Sequence, residues 1–384
     1  MKYYIIAGEA SGDMHGSNLI RELFAHDSNA EIRYWGGDEM EKACREQTGA
    51  NRCVQVRHIK ELAYMGFVEV ALHLKTILGN ISFCKKDILG YRPDAIIYID
   101  YPGFNLKIAK FAHSNGFKNY HYISPQLWAW KKGRIKTMRK IIDRLFCILP
   151  FEEKFYAQNR FPQAEYVGHP LLDAIAHFTP ERLQFESEPP IIALLPGSRK
   201  QELKKILPSM LALAKRHTEY RFVIAGMSLI GADFYKRYCE AADNLSIVFD
   251  KTYSLLAQSH AAVVCSGTAT LETALFDIPQ VVCYRANALS IALAKFFVGK
   301  RVKYISLVNL IADKPVVAEL IQDIDTHLEE EFDAIANDTD CRKTMLENYR
   351  QLRILLGNAG ASAHVAKRIT QDLFKVGSIN STLP

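Results

Sequence analysis

The sequence predicts two doubly wound parallel α/β domains facing each other across a cleft, and three observations carry that prediction. In the first half, short apolar runs alternate with stretches of helical periodicity, the pattern of a parallel sheet wrapped by helices. A second series of the same kind starts near residue 190. Between the two, 168–190 holds Pro170, Pro180, Pro189 and Pro190 among polar residues, which suits a linker. The domains are expected at 1–170 and 190–345, joined by 171–189. A closing helix either crosses back to complete the first domain with 357–384 or ends the second; the crossing is the arrangement expected.

Each element follows from its residues. Strands are expected at 3–7, 31–35, 95–99, 119–123, 144–149 and 165–167, each an apolar run of strand length, several stopped by glycine or an acid. Helical spacing fills 15–24, 38–47, 67–90, 105–115, 134–141 and 151–158. In the second series the strands are 191–195, 221–225, 246–249, 261–265 and 280–284, with helices at 199–216, 233–242, 253–258 and 269–275. Two further helices, 344–356 and 361–374, flank Gly357-Asn358-Ala359-Gly360.

Composition narrows the function classes. With 384 residues, 49% hydrophobic and 23% charged, the chain has material for sizeable cores. A formal net charge of +6 is too mild to argue for nucleic acid by itself. Eight cysteines are scattered singly, with no CxxC pair, and read as small buried hydrophobes of a reducing compartment. The opening Lys2-Tyr3-Tyr4-Ile5-Ile6-Ala7 is no secretory leader, and no apolar run approaches the roughly 18 residues of a membrane span, so a cytoplasmic protein is expected, with room to lie on a membrane.

The chemistry gathers at strand ends. Ser266-Gly267-Thr268 opens a helix after an apolar strand, leaving N–H groups and a helix dipole where a phosphate can approach. Glu272, one turn on, would repel phosphate but suits two ribose hydroxyls; the alternative is a capped helix with a first-turn charge. Leu195-Pro196-Gly197-Ser198-Arg199 places an arginine at a second strand-to-helix turn, a diphosphate clamp. No G-x-x-x-x-G-K-[ST] occurs, which argues against ATP-type phosphoryl transfer. His121, His169 and His260 are isolated and form no metal set. In the first domain, Gly8-Glu9-Ala10-Ser11-Gly12-Asp13 lacks dinucleotide glycine spacing, and its two acids oppose a pyrophosphate; sugar hydroxyls or a single phosphate suit it, or Ser11 and Asp13 simply cap the helix. Asp100 ends a buried strand before Pro102-Gly103, the position of a general base or of a helix cap.

Two surfaces remain. Trp128 and Trp130 beside Lys131, Lys132, Arg134, Lys136, Arg139 and Lys140 suit an anionic membrane interface or stacked bases, or are buried rings beneath a solvated helix. Residues 61–72, with Met65, Phe67 and Val68, form core or an acyl-binding surface, and 288–301 is an apolar helix with a basic end that suits a membrane or a core.

Taken together, Gly8-Glu9-Ala10-Ser11-Gly12-Asp13, Met65-Gly66-Phe67-Val68-Glu69-Val70, Ile99-Asp100-Tyr101-Pro102-Gly103-Phe104-Asn105, Ser124-Pro125-Gln126-Leu127-Trp128-Ala129-Trp130, Leu149-Pro150-Phe151-Glu152, Val167-Gly168-His169-Pro170, Leu195-Pro196-Gly197-Ser198-Arg199 and Ser266 to Glu272 resemble the lipid-A-disaccharide synthases, in family order over most of the chain. Tyr101 and Gly103, and Gln126 and Leu127, depart from the usual family residues on the acceptor side. The resemblance implies a GT-B type glycosyltransferase with a UDP-2,3-diacylglucosamine donor, a 2,3-diacylglucosamine 1-phosphate acceptor and an inverted β-1,6 linkage. It implies no metal or other cofactor, no nucleic acid, a peripheral place on the inner face of the cytoplasmic membrane, and room for a homodimer. Catalysis then falls to Asp100, with Glu9 as rival and Ser11 beside it. UDP falls to Arg199, Ser266, Gly267, Thr268, Glu272 and Asn309. A nucleotide-sugar epimerase of the same two-lobed fold is the competing reading, and an RNA-binding protein a third.

Overall fold

The computed structural model describes residues 1–48, 52–61, 74–129, 132–183, 189–239, 242–285 and 303–380. The chain divides into two compact units, Met1–Ala176 with Asn358–Pro384, and His177–Gly357.

In the first unit the order is β1 (Lys2–Ala7), α1 (Ala10–His26), β2 (Glu31–Gly36), α2 (Asp38–Thr48), β3 (Cys53–His58), α3 (Leu74–Tyr91), β4 (Ala95–Ile99), α4 (Pro102–Ser114), β5 (Lys118–Tyr122), α5 (Ile135–Ile141), β6 (Arg144–Cys147), α6 (Pro150–Gln158), β7 (Ala164–Tyr166) and α7 (Pro170–Ala176). The strands form one parallel sheet ordered β3-β2-β1-β4-β5-β6-β7. After Lys2, β1 and all of β4 are apolar because helices cover both faces, whereas β5 carries the buried polar residues Asn119 and His121. Tyr3, Ile5 and Ile97 pack with Leu19, Leu23 and Met40 on one face, whereas Tyr4, Ile6 and Ile96 pack with Cys84, Ile88 and Ile108 on the other.

The second unit runs β8 (Ile191–Leu195), α8 (Lys200–Arg216), β9 (Arg221–Gly226), α9 (Ala232–Cys239), β10 (Leu245–Phe249), α10 (Thr252–Leu256), β11 (Ser259–Cys265), α11 (Thr268–Leu275), β12 (Gln280–Tyr284), α12 (Leu307–Ala312), β13 (Ala318–Ile321), α13 (Ile324–Ala336) and α14 (Asp340–Leu356). Its parallel sheet is ordered β10-β9-β8-β11-β12-β13, the same winding as the first. The last helix, α15 (Ala361–Asn380), returns to the first unit, where Val365, Ala366 and Ile369 complete the core against Leu19 and Tyr3.

Three expectations need correction. Residues 170–176, read as the start of a linker, form the helix α7, with Leu171 and Asp173 buried. Asp173 accepts the N–H groups of Gly360 (2.5 Å), Ala361 (3.2 Å) and Ser362 (2.9 Å), so this short helix caps α15. Not all cysteines are single: Cys44 on α2 and Cys53 on β3 are joined by a disulfide. Finally, β3 and β13 were not anticipated; both are edge strands whose residues are mostly only half-buried, so neither shows an apolar run.

Candidate active site

In each sheet the strand order reverses once, between β1 and β4 and between β8 and β11, and ligands of such sheets bind outside the carboxyl ends at that reversal. Both sets of sequence candidates sit there.

In the first unit Ala7 pairs with Ile99, so the loops that follow β1 and β4 leave the sheet side by side. Glu9 stands extended at the N-cap position of α1, and Asp100 follows β4. Burial pushes the Asp100 carboxyl up to about 6, the Glu9 carboxylate adds to the rise, and the Tyr101 N–H opposes it. The two acids thus share one neighbourhood. Asp100 (φ 44°) and Tyr101 (φ 48°) are both left-handed, which costs a non-glycine residue roughly 1–2 kcal/mol. Several contacts hold the turn. The Asp100 N–H donates to the Tyr122 carbonyl (3.0 Å), Pro102 presets the first turn of α4, and the Tyr101 ring lies against Gly8, where a Cβ would stand 2.5 Å from ring carbons. Glycine at position 8 is what lets the ring and the Glu9 loop approach each other.

Ser11 is exposed in the first turn of α1. Asp13 neither faces a ligand nor caps its own helix. It is buried and accepts the N–H groups of Gly37 (2.6 Å), Glu39 (3.0 Å) and Met40 (3.2 Å), capping α2.

Two strands along, Glu152 is fully buried in the first turn of α6. It accepts the N–H groups of Ile148 (3.3 Å) and Leu149 (3.1 Å) and the indole N–H of Trp128 (3.2 Å), yet burial outweighs these bonds and pushes its carboxyl up to about 8. Trp128 is therefore not a free interfacial ring: it is half-buried, edge-on to Phe151 and tied to Glu152. Lys132 is exposed with its ammonium 5.7 Å from the Phe155 ring centre, and Arg134 is half-buried ahead of α5. Met65, Phe67, Val68, Trp130, Lys131 and the stretch 288–301 lie outside the described residues.

The second unit assembles a cationic turn. Arg199 stands at the N-cap position of α8 and pairs with Glu202 (3.3 Å). Gly197 (φ 106°) lets the turn close over Glu202 and Cys265, since a Cβ there would stand 2.8 Å from Glu202 Oε2 and 3.3 Å from Cys265 Sγ. That contact sets the Arg199 turn beside the end of β11. After β11, Gly267 and Thr268 are exposed, and the N–H groups of Thr268 and Ala269 open α11 without a hydrogen-bond partner among the described residues. The Ser266 N–H does not join them, being bonded to the Cys283 carbonyl (3.0 Å), and its hydroxyl donates to the Ile305 carbonyl (3.0 Å). Glu272 is half-buried, its carboxyl raised by burial, and accepts the Tyr253 hydroxyl at Oε1 (3.0 Å).

Asn309 is the most deeply buried of the residues expected to hold UDP. It is 1% exposed and its amide is saturated, accepting Val316 N–H (2.7 Å) and Val317 N–H (2.9 Å) and donating to the Val317 carbonyl (2.9 Å) and Glu319 Oε1 (2.9 Å). Glu319 in turn accepts the N–H groups of Ile305 and Ser306 (both 2.9 Å), and the Ile305 carbonyl accepts the Ser266 hydroxyl, so the Asn309 amide is bonded into the framework of the Ser266 turn. Glu152 and Asn105 stand in motifs that the sequence shows but carry no role there, and Glu319 stands in none. The Leu-Pro-Phe-Glu motif is a helix start with an acid at its third position, and Asn105 closes the motif that holds Asp100.

The family model described as lipid-A-disaccharide synthetase matches residues 3–369. The lipid-A-disaccharide synthase of Syntrophus aciditrophicus (strain SB) is 37% identical over 375 residues, covering 94% of this chain and 95% of that protein. Among solved structures, the UDP-GlcNAc 2-epimerase from Neisseria meningitidis, bound to UDP-GlcNAc, is similar with a TM-score of 0.65 at 14% identity, over 98% of this chain and 100% of that one. The glycotransferase of kitacinnamycin is similar with a TM-score of 0.65, also at 14% identity, over 97% of this chain and 99% of that one. At such identities the last two speak for the GT-B fold alone.

Proposed function

The chain belongs to the lipid-A-disaccharide synthetase family and is a glycosyltransferase of lipid A biosynthesis, and on that premise we propose how its residues share the reaction. The donor is UDP-2,3-diacylglucosamine and the acceptor 2,3-diacylglucosamine 1-phosphate. The acceptor's 6-hydroxyl oxygen attacks the donor's anomeric carbon opposite the diphosphate. The bond from that carbon to the diphosphate oxygen breaks, its electron pair leaves with UDP, and the new linkage is β-1,6.

Asp100 receives the hydroxyl proton. A carboxylate is a far weaker base than an alkoxide, so the proton moves late, as the new bond forms. Glu9 and Ser11 bind the acceptor beside it. Arg199 and the N–H groups of Thr268 and Ala269 take up the charge that grows on UDP, while the second oxygen of Glu272 binds ribose hydroxyls. This scheme uses no metal ion. Among the described residues no helix is long and apolar enough to cross a membrane. The exposed cations Lys132 and Lys136, with Arg134, are proposed to hold the enzyme to anionic lipid on the cytoplasmic face, where acylated substrates reside.

The observation that carries the reading is an acid pair at one sheet reversal and a cationic, N–H-rich turn at the other. Purified protein mixed with donor and acceptor should release UDP and form the disaccharide phosphate. Conversion of the nucleotide sugar without acceptor would instead select the epimerase.

A further inference from the structure

We propose that Asn105 is a positioning residue for the reaction, its buried amide fastening together the carboxyl ends of β1 and β4 so that Asp100 is held in its left-handed turn facing Glu9. This rests on the reading of Asp100 as the base. Asn105 lies in the first turn of α4 and is 0% exposed. Its Nδ2 donates to the Asp100 carbonyl at 2.7 Å and reaches the carbonyls of Ile99 and Ile6, each at 3.4 Å. Ile99 is the last residue of β4, and Ile6 stands three residues before Glu9. One amide group therefore meets the backbone of both strands that deliver an acid. The Asn105 N–H also bonds the Tyr101 carbonyl (3.0 Å), so backbone and side chain together enclose the two strained residues.

An asparagine suits this place for a chemical reason. Three carbonyl oxygens converge on one point, and only a donor without charge can enter a dry sheet edge at low cost. The Asn105 Oδ1 has no partner among the described residues, so the side chain makes its donor bonds at the expense of its acceptor. A residue retained merely for packing would be apolar there. A carboxylate of the same shape would repel all three carbonyls.

The test compares Asn105→Ala, Asn105→Ser, which keeps one short donor, and Asp100→Asn. Folding is followed by circular dichroism and UDP binding by calorimetry. With the fastening lost, Asp100 relaxes away from Glu9, the charged group facing it from α1. The Ala variant should lose on the order of 100-fold in kcat, the cost of misplacing a reacting group by about 1 Å, with little change in KM for the UDP-sugar. The acid limb of its kcat profile should shift to lower pH, and the Ser variant should fall between. Carbon NMR of labelled aspartates, with the Asp100 signal assigned by its loss in Asp100→Asn, should show the same downward shift without any turnover. A folded Ala variant with parental kcat and an unmoved Asp100 titration overturns the inference and leaves the base assignment intact. Normal turnover of Asp100→Asn removes the base instead, and the NMR titration then decides Asn105 alone. If neither Asn105 variant folds, the parent protein decides: its Asn105 side-chain protons should exchange slowly with solvent, and exchange at the rate of a free amide sinks the proposal.

Discussion

The two sheets share one strand order and reverse at equivalent places, yet the loops there carry opposite chemistry. In the first unit the β1 and β4 ends present Glu9 and Asp100, where burial and then the Glu9 carboxylate make Asp100 harder to ionise. In the second the β8 and β11 ends present Arg199 and the opening turn of α11, and the local acid, Glu202, already pairs with the arginine. The winding supplies a place; the few residues after each strand decide whether that place accepts a proton or an anion.

The comparison breaks first at Asp100. Asp100→Asn should lose roughly 10²–10⁴-fold in turnover while binding UDP as the parent does. In the parent, kcat should fall as pH drops through about 6, because the raised carboxyl must be ionised to accept a proton. A pH profile flat through that range separates Asp100 from the base. Next comes the second reversal. Arg199→Ala should cost about 2–4 kcal/mol of transition-state stabilisation, read from kcat/KM, and near-normal kinetics would remove Arg199 from the diphosphate.

Asn309→Ala sharpens the distinction between touching a ligand and supporting a turn. It leaves two N–H groups and Glu319 without their buried partner, so the second unit should lose about 1–3 kcal/mol of stability in denaturant unfolding, with weaker UDP binding as a consequence. Weaker binding with unchanged stability would instead make Asn309 a ligand contact.

The last test concerns Glu152, which lies two strands along from the acid pair. Its folded carboxyl titrates near 8 and its unfolded one near 4.5, so the folded state holds an extra proton between those values. Stability from this group is therefore complete below 4.5 and is lost as pH rises through about 8. Glu152→Gln should flatten that part of the melting-temperature profile, at some loss from the Trp128 bond. An unchanged slope would assign the pH dependence elsewhere.

What was legible in the sequence follows burial. The strands at 95–99, 191–195 and 280–284 were placed to the residue, because a strand covered on both faces must be apolar from end to end. The edge strands β3 and β13 gave no such signal, and with β3 unseen the partner of Cys44 was invisible too. Glu9, Asp100, Arg199 and the Ser266–Thr268 turn were legible as candidates because each follows a strand, and the structure sets them at the carboxyl ends where the two sheets reverse. Asp13 was misread and Asp173 missed for one shared reason. Each serves backbone groups of another element, 24 to 27 residues away for Asp13 and 187 to 189 for Asp173, and a local pattern carries no trace of that partner.

The bonds from Asp173 to α15 also set an order of events during synthesis. The second unit is one uninterrupted stretch, His177–Gly357, and can close as soon as it emerges. The first has its seven strands made early, but the core on one face of its sheet, begun by Leu19, Leu23 and Met40, stays incomplete until Val365, Ala366 and Ile369 leave the ribosome. At about 5–20 residues per second, the roughly 180 residues between α7 and α15 hold that gap open for some 10–40 seconds in a nascent chain. In the cell, the half of the molecule that is translated first is the half that finishes last.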